Sequence, residues 1–277
     1  MNNRALCDEI ISCLDHSSDA TYFSRILAQT DDASLENALF TLLRGDDAAV
    51  SDACLFIRDL ITLAPPDENV ARFRQQFPDS VLVRELERLT FSDNYSIRRD
   101  AIYALGKTCS YESLPSLLAT LEKWREGDPL ILPSLLGEIW WLQVEDDFSL
   151  LEPLASSTRF LTRWAVLESL LHIHGDEAQQ QKRKYFGALS HDSHQLVREE
   201  ANYCLHLLKL EEDKPSPPRK LPRSVRKAHN KRLEEMRPVC FSDIQICFWN
   251  NVREREMIAY SIEDIEKFVA LEDWKKV

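Results

Sequence analysis

Phe91-Ser-Asp-Asn-Tyr-Ser-Ile-Arg-Arg-Asp-Ala-Ile-Tyr-Ala-Leu-Gly106 is the stretch on which the reading of the whole chain turns. From Tyr95 onward, Ile97, Ala101, Ala104, Leu105 and Thr108 recur at helical spacing and share one face. A second segment, Leu189 to Leu205, repeats the pattern with Val197, Ala201, Cys204, Leu205 and Leu208. Leu161 and Ala165 follow the same spacing, and Val50, Cys54 and Ile57 follow it more loosely. With the small mid-helix positions Cys54, Ala101, Leu135, Ala165 and Ala201 in register, the intervals are 47, 34, 30 and 36 residues. A period in that range signals stacked helical hairpins, each burying one face against its neighbours.

Two units carry a family resemblance. Asp93, Ile97, Arg98, Ala101 and Leu105 in the first, and Asp192, Val197, Arg198, Ala201 and Leu205 in the second, resemble the second helix of a HEAT repeat. That pattern has a turn Asp, an aliphatic-Arg pair, then Ala and Leu on one face. Phe160-Leu-Thr-Arg-Trp-Ala165 is a partial match, with Trp164 where a small polar residue is usual. Asp128-Pro-Leu-Ile-Leu-Pro-Ser-Leu-Leu-Gly137 departs further: Pro129 reads as a helix opener and Pro133 as the end of a first turn. The resemblance covers about residues 30–212. It implies a mostly α fold, a right-handed α-solenoid of HEAT-like hairpins, and it implies an architecture rather than a reaction.

Composition bounds the rest. The 277 residues are 44% hydrophobic and 29% charged, a globular balance. Six glycines are too few for an all-β protein rich in tight turns. Asp8 and Glu9 stand where a secretory signal needs an apolar core, and no uncharged run approaches the ~20 residues that span a bilayer. Seven cysteines lack any Cys-x-x-Cys spacing and read as buried thiols of a reducing compartment. The expectation is a cytoplasmic protein that does not engage a membrane.

The net charge of -12 is uneven. Residues 1–212 hold 20 basic and 35 acidic side chains, a balance of −15. Residues 213–240 hold 9 and 3, a balance of +6, and residues 241–277 are at −3. These segments are read as a HEAT-like solenoid (1–212), a basic Pro-rich linker (213–240) and a small C-terminal element (241–277). Four prolines in Asp213–Pro222 bar a helix there. Farther on, Ser224 is placed to cap a helix with Val225, Ala228, Arg232 and Met236 along one side. Asp243-Ile-Gln-Ile-Cys-Phe-Trp249 reads as a strand, paired with Glu256–Tyr260 across Asn250-Asn251-Val252-Arg253. Ser261-Ile-Glu-Asp264 reads as a capping box opening a helix over 262–269. The C-terminal element is thus expected to be an α+β appendage docked on the repeats.

Motifs that suggest chemistry meet plain alternatives. Gly106-Lys107-Thr108 resembles the end of a phosphate-binding loop, but Ala101 occupies the required upstream glycine position. His172 and His174 stand about 200° apart on a helix, and His191 and His194 belong to a repeat turn. No metal, cofactor or catalytic residue is assigned. Arg98 and Arg198 are expected to pair with the turn Asp of an adjacent repeat. Arg99, Tyr103, Arg163, Trp164, Glu199 and Tyr203 lie on second helices outside the small-residue stripe. HEAT-type proteins line their concave face with such helices, and Arg and large aromatics favour interfaces; gap-filling between repeats is the alternative reading. Trp140 and Trp141 point about 100° apart, so at most one is core, and Trp141 joins the partner-binding set. Glu145-Asp146-Asp147 reads as a solvated helix end or a cation-binding edge. Arg219, Lys220, Arg223, Arg226 and Lys227 form a basic tether that either neutralises the acidic repeats or meets an acidic partner.

The expectation from sequence is a non-catalytic protein-binding scaffold whose acidic concave surface engages a basic protein, as an inhibitor, immunity-type protein or assembly adaptor. Two alternatives stand beside it. One is an enzyme on a HEAT scaffold, similar to bilin lyases or DNA glycosylases. The other is nucleic-acid contact through residues 214–237.

Overall fold

The computed structural model describes residues 2–14, 21–62, 68–107, 111–143, 147–212 and 223–276. Among them are sixteen α-helices and no strand. In chain order these are Asn3–Leu14 (α1), Thr21–Gln29 (α2), Asp32–Leu42 (α3), Asp47–Thr62 (α4), Glu68–Gln76 (α5), Val81–Leu89 (α6), Tyr95–Lys107 (α7) and Leu114–Trp124 (α8). The rest are Leu132–Leu142 (α9), Leu151–Ala155 (α10), Phe160–Leu171 (α11), Asp176–Leu189 (α12), Gln195–Glu212 (α13), Arg223–Met236 (α14), Phe241–Glu254 (α15) and Ile262–Ala270 (α16). No helix among the described residues is long and apolar enough to cross a membrane. Two compact units divide the chain, one of residues 1–123 and 134–146, the other of residues 124–133 and 147–277.

In the first unit α7 packs on both α4 and α6. The face read from sequence is the buried one: Ile97, Ala101, Ala104 and Leu105 are sealed, as are Val50, Cys54 and Ile57 of α4. Thr108 lies outside the described residues. Small side chains on these faces let the helices approach closely, and the carboxylates drawn inside find donors. Asp100 accepts from the Ser51 hydroxyl at 2.6 Å and from Arg99 at 3.1 Å. Glu85, nearly buried on α6, is held between Arg44 at 3.2 Å and Arg88 at 2.6 Å. Thr90 and Thr120 share a buried hydroxyl contact of 2.7 Å. Pro133 does not end a first turn: it stands inside the first turn of α9, which begins at Leu132, where the missing amide hydrogen costs nothing.

In the second unit α11 is buried on nearly every side and packs on α10, α12, α13 and α15. Val197, Ala201, Cys204 and Leu208 of α13 are buried as the period predicts. Gly175 opens α12 at φ +110°, a backbone region that L side chains rarely adopt.

The expected β-hairpin is absent from the described residues. Asp243–Trp249, Asn250 and Asn251 all lie in α15, and Met257–Tyr260 is irregular. Phe241, Ile244, Phe248 and Val252, the buried positions of α15, are spaced 3, 4 and 4 apart, a helical stripe that outweighs the local alternation. Asp243 starts the helix by accepting from the Cys240 amide at 2.9 Å. Ser261 and Asp264 form the expected capping box at the start of α16. Phe248 meets Tyr260 and Phe268 edge-on at 4.9 and 5.3 Å, so α15 and α16 share an aromatic core. Within the same unit Gln245 donates to the Leu130 carbonyl, and Tyr260 to both carboxylate oxygens of buried Asp128 at 3.0 Å.

Residues 213–222, with the proline cluster, lie outside the described residues, as do Glu145, Asp146, Arg219 and Lys220. The described remainder of the basic segment is α14. It begins at Arg223, so Ser224 stands in its first turn rather than capping it. Of Arg223 and Arg226 the helical backbone alone is described.

Candidate functional site

A recurring arginine contact closes the turns before α7, α11 and α13. Arg98 donates to the carbonyls of Ser92 and Asp93 at 2.7 and 3.4 Å. Arg163 does the same to Ser157 and Thr158 at 2.8 and 3.1 Å, and Arg198 to Asp192 and Ser193. In each case the acceptors lie six and five residues back, so the guanidinium closes the turn that precedes its own helix. In these contacts Arg98 and Arg198 serve the turns that precede their own helices. Arg163 also joins two turns, since its Nε and Nη2 grip both oxygens of Asp192 at 2.6 and 2.8 Å.

This placement corrects two of the seven surface residues read from sequence. Arg163 is 14% exposed and fully engaged by four acceptor atoms, so it joins elements of the fold. Trp164 is 0% exposed: its indole Nε1–H donates to Glu200 and its ring meets Phe241 edge-on at 5.7 Å. It fills the gap between helices. The match to the other two segments is only partial here, because Thr162-Arg163 stands where they carry the aliphatic-Arg pairs Ile97-Arg98 and Val197-Arg198. Arg163 stands two positions before Ala165, whereas Arg98 and Arg198 stand three before Ala101 and Ala201, so the shared turn contacts rather than the spacing align the three arginines.

Three of the remaining residues come together in the first unit on neighbouring faces of α7 and α9. Arg99, 23% exposed, is tied to Asp100. The Tyr103 hydroxyl contacts the Ser134 hydroxyl at 2.7 Å. Lys107 bonds the buried Glu138 carboxylate at 2.9 Å and places its Nζ 5.2 Å from the Trp141 ring centre. Burial pushes the Glu138 carboxyl up, against the opposing pull of Lys107. Trp140 is core, and Trp141, one position on, is 62% exposed. The face is thus a fixed ammonium-carboxylate pair beside an open indole, a cation–π arrangement that holds the ring in place.

Gly106 makes this geometry possible. A Cβ there would lie 2.5 Å from the Glu138 Cβ, which is a stiff part of its side chain. Gly106→Ala is expected to destabilise the first unit by about 1–3 kcal/mol through overpacking. Chemical denaturation followed by tryptophan fluorescence measures the loss.

Glu199 and Tyr203 lie elsewhere, in the second unit on α13. With Asn202, His206, Met236 and Pro238 they line a largely apolar groove of about 390 Å³. Lys227 is exposed on α14. The sequence reading missed Glu200, one residue from Glu199 yet fully buried. The helical period signals it, because position 200 follows Val197 by three and precedes Cys204 by four on the apolar face. Among the described residues no group of three or more His, Cys, Asp or Glu side chains is placed to hold a metal ion. No family model matches the chain, and no curated protein or solved structure matches it.

Proposed function

We propose that this chain is a non-catalytic helical-repeat protein, of HEAT-like organisation, that binds a protein partner through the α7–α9 face around Trp141. The observation that carries the reading is the exposed, braced indole. An aromatic side chain in that state exposes apolar area at little further entropic cost on binding, which is what interface hot spots have in common. Packing of α4 on α7 and of α11 on α13, with the recurring arginine-closed turns, supports the repeat organisation. The −15 balance of residues 1–212 favours a basic partner and a salt-dependent association rate. An inhibitor, an immunity-type protein and an assembly adaptor share this requirement, and a cytoplasmic setting suits the free thiols.

Trp141→Ala is expected to weaken such a complex by about 2 kcal/mol or more, roughly 30-fold. The measurement is recovery of a stoichiometric protein from native cells, followed by titration with the purified partner. Tyr111→Ala serves as the control, since Tyr111 is 64% exposed outside the face. Equal binding by Trp141→Ala and wild type, or no stoichiometric partner, defeats the reading.

A further inference from the structure

The most polarised segment of the chain supports an interaction that the Trp141 face does not explain. Arg223, Arg226, Lys227, Lys231 and Arg232 place five cations in the first ten residues of α14 with no acid among them. Ser224, Val225, Lys227, Asn230, Lys231 and Arg232 are all exposed. Lys231 meets Glu235 of its own helix at 3.7 Å, and Lys227 and Arg232 form no ion pair among the described residues. The charges of Lys227 and Arg232 are therefore available to an outside ligand.

We propose that α14 binds duplex DNA by lying in the major groove and contacting the phosphates on both sides. Size is the first argument. Fourteen residues at 1.5 Å each make a rod about 21 Å long and about 10–12 Å across, matching a groove about 12 Å wide. Distribution is the second. Lys227 and Arg232 stand about 140° apart around the helix axis, so cations face both walls of the groove rather than one flat surface. Composition is the third. An acidic protein offers carboxylates at a few fixed points, whereas duplex DNA offers one negative charge per ~1.7 Å of axis, in any register. The cationic run has no Phe, Tyr or Trp for stacking on unpaired bases. Contact is with the backbone and is independent of base sequence.

The test uses the full-length chain and a labelled random-sequence 20-base-pair DNA duplex, followed by fluorescence anisotropy between 50 and 200 mM salt. Five phosphate contacts give a slope of log K against log salt of about −4.5. The double variant Lys227→Glu/Arg232→Glu is expected to bind at least tenfold more weakly, with a slope shallower by about 2. Both substitutions are on exposed positions, and circular dichroism with a thermal midpoint checks that the fold persists. A double-stranded RNA of equal length is expected to bind at least tenfold more weakly, because its major groove is too narrow for a helix. Poly-glutamate at equal charge concentration is expected not to displace the DNA. Absence of DNA binding at 50 mM salt overturns the proposal, as does unchanged binding by the folded variant. Equal competition by RNA overturns groove docking, and equal competition by poly-glutamate assigns the helix to an acidic protein instead.

Discussion

Glu200→Gln removes most of the pH dependence of the second unit's stability between pH 5 and pH 8. Glu200 is fully buried on α13, where one carboxyl oxygen accepts from the Trp164 indole and from the Phe241 amide at 2.7 Å. Its other oxygen, Oε1, has no hydrogen-bond partner. Burial pushes the carboxyl up to about 8, the Phe241 amide opposes this, and nearby Glu168 adds to the rise. Cys204 and Cys240 are raised by burial first and by Glu200 second, with Lys182 and Arg237 pulling them the other way, whereas no cation offsets the burial of Glu200 itself. The proton is thus retained in the folded state at pH values where an unfolded chain has released it. Stability from this group is fully present below the unfolded value of about 4.5 and is lost as pH rises toward 8. At 1.36 kcal/mol per unit, the loss across that window is about 4 kcal/mol.

Glutamine preserves the acceptor oxygen and cannot ionise. Its amide hydrogens occupy the place where Oε1 has no partner, at a cost of about 1–3 kcal/mol. The variant is therefore expected to be less stable than wild type at pH 5 and more stable at pH 8, with the two curves crossing between. Denaturant titrations at several pH values measure this. Parallel curves for wild type and variant would show that Glu200 is ionised in the fold.

The readable part of this fold came from period, and the misread part from side-chain identity. The stripes around Ala101 and Ala201 located α7 and α13 because burial of one helical face repeats every three to four residues. In 243–249 an alternating local pattern competed with a helical stripe extending to Val252, and the longer stripe won through α15 packing on α11. Large side chains were harder to place. Trp164 and Trp141 are the same residue type on α11 and α9, yet one is sealed and the other is 62% exposed. The difference lies in what opposes them. Trp164 meets Glu200 and Phe241, which are 36 and 77 positions away in sequence, and no local pattern encodes that meeting. Trp141 follows the core residue Trp140 by one position, and the 100° step per residue shows from sequence that at most one of the two is core without saying which. Glu200 escaped notice for the same reason as Trp164, since its role depends on α15 arriving above it.

Arg163→Met is expected to cost the second unit about 3–5 kcal/mol, the range for leaving a buried charge without its partner. The guanidinium holds two backbone carbonyls of the turn before α11 and both oxygens of Asp192 in the turn before α13. Asp192 is 5% exposed, so water replaces the lost donors poorly. Burial alone would raise the Asp192 carboxyl; hydrogen bonds from Arg163 and the His194 amide outweigh it and hold the group below the usual carboxylate range. The stability linked to Asp192 is therefore present above its unfolded value and lost as pH falls through the lower folded one, opposite in sign to Glu200. Asp192→Asn removes the charge but keeps an acceptor for the His194 amide, which Asp192 now binds at 2.7 Å. In the pair Arg163→Met/Asp192→Asn no charge is stranded, so the double variant is expected to be more stable than the sum of the single losses implies, by about 1–3 kcal/mol. Thermal midpoints give the same order, with Arg163→Met lowered by about 10 °C at 2–4 °C per kcal/mol. Additive losses, or a cost below about 1 kcal/mol for Arg163→Met, would mean that the arginine is a surface residue of the kind its sequence context suggests, and that α11 and α13 are held together by apolar packing alone.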